Sequence, residues 1–178
     1  MFLKKVTAFL GILVVAATAH ASASGEVMPD IISKRLNLMK AVAQYKYVNK
    51  LPVEDKKREA IIFKRIMEKA KTVGIPQERA SRALKAQITA AKQLQTSYIK
   101  GWAENNIKFE TAPDLGKDIR PQIDVITQEF LIALKDSDIS CKQLQNAAEK
   151  LRVSTEIKLA WVIAAQGVLP KSSEHCSL

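Results

Sequence analysis

The chain has 178 residues, 47% of them hydrophobic and 26% charged, with only 6 glycines and 6 prolines. That suits one compact domain large enough to bury a real core, and no repeat, low-complexity tract or β-alternation interrupts it. A formal charge of +10 favours anionic partners in general. It does not choose among a small polyanion, nucleic acid and a membrane surface.

The N-terminus reads as a removable segment. Lys4 and Lys5 precede the apolar run Val6 to Ala19, followed by the small-residue sites Ala19-His20-Ala21 and Ala21-Ser22-Ala23. This is the pattern of a secretory signal over residues 1–21, with cleavage after Ala21 or Ala23. The rival reading, a membrane anchor, is weaker because the run is shorter than the ~20 residues a span needs. The mature chain, residues 22–178, is thus expected outside the cytoplasm, in the periplasm or secreted. Removing Lys4 and Lys5 takes the charge from +10 to +8. Cations such as Lys56, Lys57, Lys69 and Lys71 read as solvated faces.

Cys141 and Cys176 both fall in the exported part. In an oxidising compartment an even pair usually closes, and a loop of about 35 positions would stabilise by roughly 3–4 kcal/mol. Metal binding is a poor rival: His20 leaves with the signal, and His175 alone leaves the cysteines one ligand short of a usual zinc set.

After the signal every segment reads as helix, giving an all-α, single-domain bundle of about six helices, three long and three shorter. The first is expected from about Pro29 to Asn49, with Ile32, Leu36, Met39, Val42 and Ala43 forming its core stripe. Arg35 and Lys46 lie on that same stripe, eleven steps apart, which is three turns, so the two point nearly the same way. Desolvating a lone cation costs several kcal/mol, so the pattern implies an interior pocket awaiting an anion. Leu51-Pro52 breaks this helix, and Pro52 is expected to open a second at a tolerated early position, with Glu54 and Asp55 in its first turn. Arg58 heads the row Arg58, Ile62, Ile66, and Gly74 is a plausible stop.

Pro76 opens a third helix reaching towards Asn105. Its expected buried stripe is Ala80, Ala83, Leu84, Gln87, Ala91, Leu94, Gln95 and Tyr98, with Arg82, Lys85, Thr89, Lys92 and Thr96 outside. Gln87 and Gln95 stand where a core prefers leucine. Either they cap neighbouring helices through hydrogen bonds, or they serve a site, for which the central Gln95 is the sharper candidate. KFETAPDLGK is a loop, after which a fourth helix runs from about Asp118 to Lys135 with Arg120 in its first turn. Ser137 or Asp138 can cap a fifth helix through Leu151, and Ser154 a sixth towards Gln166. The tail LPKSSEHCSL is irregular and would be tied back by Cys176.

Arg35, Lys46, Arg58 and Arg120 with the neutral donor Gln95 contain no nucleophile–base pair, phosphate loop or metal cluster. Asp55 and Glu59 stand beside Arg58. Such groups position and polarise a dicarboxylate without bonding to it. Here the sequence resembles the all-helical chorismate mutases, specifically their secreted, gamma-type subclass. The resemblance rests on the R-x10-K-x11-R spacing of Arg35, Lys46 and Arg58, on YKYVNKLPVEDKKRE, QITAAKQLQTSYIKGW and DLGKDIRPQID, and on the late cysteine pair.

It implies conversion of chorismate to prephenate with no cofactor and no metal. Arg35 and Arg58 would bind the two carboxylates, Arg120 would close on one of them, and Lys46 and Gln95 would hydrogen-bond the ether oxygen. Asp55 and Glu59 match acidic positions near the substrate hydroxyl. Each site would lie within one protomer, often in a homodimer. Two positions depart from relatives: Ala91 stands in place of a Ser or Thr, and Ile62 in place of a Gln present in some secreted members; position 95 holds Gln where some relatives have Glu. The alternative is a non-catalytic basic, secreted helical binding protein for nucleic acid or an anionic surface. It would predict outward-facing cations interleaved with exposed aromatics, whereas Arg35 and Lys46 are expected to face inward. An inactive relative would be expected to have lost some of the four cations.

Overall fold

A computed structural model describes residues 24–136, 138–173 and 175–178. The expected signal segment and its cleavage positions, like the candidate cap Ser137, lie outside the described residues. The described chain is all-helical: α1 (Ser24–Asn37), α2 (Met39–Val48), α3 (Lys56–Thr72), α4 (Gln77–Glu104), α5 (Arg120–Asp136), α6 (Cys141–Lys150) and α7 (Thr155–Gln166). The expected first helix is two, broken at Leu38. That residue stays right-handed at φ −72° and ψ −17°, so the two segments share one apolar stripe. Ile32, Leu36, Met39, Val42 and Ala43 are all buried.

The 28-residue α4 is the spine. It packs against α7, α2 and α3, while α1 lies against α5, α7 and α6. Its expected stripe is buried from Ala80 through Gln95, with Tyr98 partly so. Where α7 ends, Gly167 meets α4 so closely that an added Cβ would collide with Ala86 Cβ. Trp161, 1% exposed, joins α7 to α1 by donating its indole N–H to Ser33 Oγ at 3.1 Å. Ser33 is half-buried beneath that bond.

Helix ends explain the remaining boundaries. Pro52 does not open α3. Asp55 is the N-cap, accepting the Arg58 N–H at 3.0 Å, so Leu51 to Glu54 form a loop. Gly74, at φ +83°, ends α3 as expected, with Ile75 N–H bonded to Ala70 O and Gly74 N–H to Lys71 O. This paired pattern recurs after α2, where Lys50 takes the left-handed position, and after α4, where Asn106 does. Before α5 a π-helical turn, Leu115–Ile119, replaces the end of the expected loop, with Asp114 accepting the Gly116 and Lys117 N–H groups. Ser140, not Asp138, caps α6, in a reciprocal box with Gln143. Cys141 at the start of α6 is bonded to Cys176, so the tail is tied back as expected.

Candidate active site

α2, α3, α4 and α5 enclose a cavity of about 500 Å³ under the α2–α3 loop. The seven residues expected to hold a ligand all line it. α1 and α2 supply Arg35 and Lys46, α3 and its cap supply Asp55, Arg58 and Glu59, α4 supplies Gln95, and α5 supplies Arg120. Helical register explains the convergence. On α5, Arg120, Ile123, Asp124 and Thr127 fall at i, i+3, i+4 and i+7, so one face of the helix turns to the cavity.

The electrostatics are lopsided. Among the described residues, Arg35, Lys46, Arg58 and Arg120 make no ion pair within 4.0 Å, although the neighbouring Arg65 and Lys92 both do. Burial pulls the Arg35 guanidinium down to about 10, only partly offset by the Asp124 carboxylate. Among the described residues its one hydrogen bond is a long 3.4 Å contact from Nη1 to Thr127 Oγ1, and its buried Nε has no partner there. Desolvation also lowers Lys46 below the ordinary lysine range; Asp55 and Glu59 work against the shift, while Arg120 and Arg58 add to it. Arg58 is lowered by desolvation and then by Arg120, two like charges facing one space. A site left this positive, in an apolar wall of Met39, Val42, Ile62 and Leu115, is suited to a small dianion.

Lys46 Nζ donates to Val53 O at 2.6 Å, which fixes the ammonium and leaves two N–H groups free to point elsewhere. Gln95 is 5% exposed; among the described residues its Nε2 meets only the thioether of Met39 at 3.4 Å, a weak acceptor, and its Oε1 has no partner. Gln95 therefore does not cap a neighbouring helix. Gln87 does not either: it is 2% exposed, both its amide atoms lack a partner among the described residues, and it does not line this cavity.

Lys92 corrects the sequence reading, which set it on the outer face of α4. It lines the cavity and bridges Glu54 at 3.0 Å and Glu59 at 3.1 Å, because the α2–α3 loop folds over that flank. The pair holds Glu59 upright and fastens the loop whose next residue back, Val53, holds Lys46. Ala91 and Ile62, the two departures, line the cavity with no polar group. Arg65, Asp124 and Thr127 escaped the sequence reading; the spacing of Asp124 and Thr127 from Arg120 was the available signal. Lys56, Lys57, Lys69 and Lys71 are exposed, as expected of solvated faces.

A family model described as Chorismate mutase type II matches residues 27–96, a span that holds Arg35, Lys46, Asp55, Arg58, Glu59 and Gln95. The chain is 32% identical over 133 residues to a secreted chorismate mutase of Yersinia pestis, covering 75% of this chain and 63% of that protein. It is 27% identical over 118 residues to a monofunctional chorismate mutase of Enterobacter agglomerans, covering 66% and 65%. It thus spans less than two thirds of the length of either curated relative. A crystal structure of chorismate mutase from Burkholderia thailandensis superimposes with a TM-score of 0.76 at 27% identity, over 83% of this chain and 99% of that one. Helical architecture, matched segment and relatives agree: the chain has the fold of the all-helical chorismate mutases, and its residues 27–96 match the type II family model.

Proposed function

We propose that this protein is an exported chorismate mutase, which rearranges chorismate to prephenate without a covalent intermediate. The observation that carries the reading is the convergence of four cations, none ion-paired among the described residues, on one cavity sized for a small diacid. Arg35 and Arg58 bind the two carboxylates and Arg120 closes on one of them. Bidentate guanidinium contacts fix orientation as well as charge, and hold the flexible side arm over the ring.

In the Claisen step the ether C–O bond breaks as a new C–C bond forms, and no proton or electron leaves the molecule. Negative charge grows on the ether oxygen in the transition state. Lys46 and Gln95 donate hydrogen bonds there, and donors fixed before the reaction stabilise the transition state more than the ground state. One such donor is worth about 3–4 kcal/mol, and a low-end enzymatic acceleration needs about 8. Two donors with the arginine clamp reach that range. Asp55 and Glu59 receive the ring hydroxyl. The missing hydroxyl at Ala91 costs roughly 1 kcal/mol of carboxylate binding.

Export is supported by the signal-like N-terminus, by the likeness to a secreted relative and by the Cys141–Cys176 bond, which suits an oxidising compartment. The expected assembly is a homodimer with each site inside one protomer, which light scattering of the mature chain would check. The activity test follows prephenate formed from chorismate by the mature chain and by Arg58→Ala. Turnover by the former and its near-abolition in the latter is expected. An inactive, folded mature chain would retire the proposal.

A further inference from the structure

We propose that Arg65 and Asp124 form a latch that holds the two walls of the cavity, α3 and α5, at their working separation before substrate arrives. This rests on the mutase reading for its kinetic consequence, though not for its structural one.

α3 packs on α4, and its contact with α5 is sparse. Both helices nonetheless turn charged faces into the same space. α3 presents Arg58 and, seven residues on, Arg65; α5 presents Arg120 and, four residues on, Asp124. Arg58, Arg65 and Arg120 also border an outer recess of about 420 Å³ that shares this rim, so the gap between the helices is the cavity mouth. Arg58 and Arg120 repel each other across it. One turn or two further along, Arg65 Nη2 reaches Asp124 Oδ1 at 2.7 Å, the one ion pair between these helices among the described residues. Attraction there opposes repulsion at the mouth. A bound diacid between Arg58 and Arg120 supplies its own tie, so the latch matters in the free protein and is redundant once the site is filled. Arg65 and Asp124 are therefore positioning residues, and their loss falls on KM rather than on kcat.

Both partners are about half exposed, at 50% and 49%. A pair so placed shifts an equilibrium by roughly two- to five-fold, less at high salt. Asp124 also offsets the charges of Arg35 and Arg58, so Asp124→Asn disturbs more than the latch, and Arg65→Ala is the cleaner variant.

The test combines steady-state kinetics on chorismate with hydrogen–deuterium exchange of α3 in the unliganded protein. The set is Arg65→Ala, Asp124→Asn, the double variant and the exchanged pair Arg65→Asp/Asp124→Arg. Expected for Arg65→Ala is a KM raised about two- to five-fold, a kcat within two-fold and faster exchange in α3. The double variant should be no worse than Asp124→Asn alone, and the exchanged pair should restore slow exchange in α3 while the cation now at position 124, beside Arg35 and Arg58, keeps KM raised. Wild-type KM and wild-type exchange in Arg65→Ala would overturn the latch, as would additive losses in the cycle or a fall in kcat at unchanged KM. Were the wild type inactive on chorismate, the mutase reading would fall by itself, and the exchange data across the same four proteins would still decide the latch.

Discussion

On the proposed mutase reading, replacing Lys46 should separate chemistry from folding. In the unliganded site its ammonium makes one hydrogen bond, to Val53 O at 2.6 Å, and faces Arg58 and Arg120 across the cavity. Losing a charge-assisted bond of this kind costs about 1.5–3 kcal/mol, and relief of like-charge repulsion returns part of it. Against the ~5–15 kcal/mol of a typical domain, Lys46→Ala should stay folded. In the transition state the loss is larger: one donor to a developing oxyanion accounts for about 2.7–4 kcal/mol, or 10²–10³ in kcat. The assay is the initial rate of chorismate disappearance at saturating substrate, with far-ultraviolet circular dichroism and melting on the same samples. Lys46→Met refills the space of the aliphatic stem, so equal losses in the two variants assign the effect to the ammonium. A kcat within ten-fold of wild type in folded Lys46→Ala would refute the assignment of Lys46 to the ether oxygen.

Gln95 donates at any ordinary pH, so kcat/KM should be flat between pH 5 and 8, and a wild-type collapse within that window would count against it. Gln95→Glu should be active only in acid, because a glutamic acid donates only when protonated. On the alkaline side the wild-type rate should fall before the ordinary lysine range is reached. Desolvation lowers the Lys46 pKa, so the charged form is lost sooner; an alkaline limb set at or above that range would contradict the burial argument. Gln87→Met, nearly the same shape without the unpaired amide, should stabilise by about 1–2 kcal/mol, read as a raised melting temperature at unchanged activity. Lys50→Gly relieves a left-handed residue at φ 52° and should add up to ~1 kcal/mol, a rise of about 2–4 °C; a fall in melting temperature would contradict it.

How far the site could be seen in the chain depended on one kind of signal. Arg35 and Lys46 stood out because charge interrupted an apolar stripe, an inconsistency between residue type and register that a lone helix already displays. Gln95 was visible for the same reason, and Arg120 because it sits in the first turn of a helix, where free N–H groups already favour an anion. Lys92 was invisible by that logic. It flanks the stripe on the side periodicity assigns to solvent, and only the fold of Leu51 to Glu54 over α4 makes it a wall. Pro52 has the signature of a helix opener, yet Asp55, three residues on, supplies the cap that sets where α3 starts. Arg65 and Asp124 carry meaning only as a pair across two helices 59 positions apart, and no local pattern announces which helices will face each other.

The same inconsistency explains why the site is costly to build and easy to recognise. A bundle optimised for stability would fill the space between α2, α3, α4 and α5 with leucine and valine. Here that space holds desolvated arginines, a depressed lysine and an amide on a weak acceptor, each an expense to the folded state. None of these costs is relieved by the protein's own anions at close range; the carboxylates nearby are spent on Lys92, on Arg65 and on capping α3. A ligand with two carboxylates and one further acceptor relieves all of them at once, so its binding and the protein's stability must be coupled. A dicarboxylate transition-state analogue should therefore raise the melting temperature of the wild type, and raise it less in Arg35→Ala, whose buried charge no longer awaits a partner. Equal shifts in the two proteins would show that the burden carried by Arg35 is discharged in some other way.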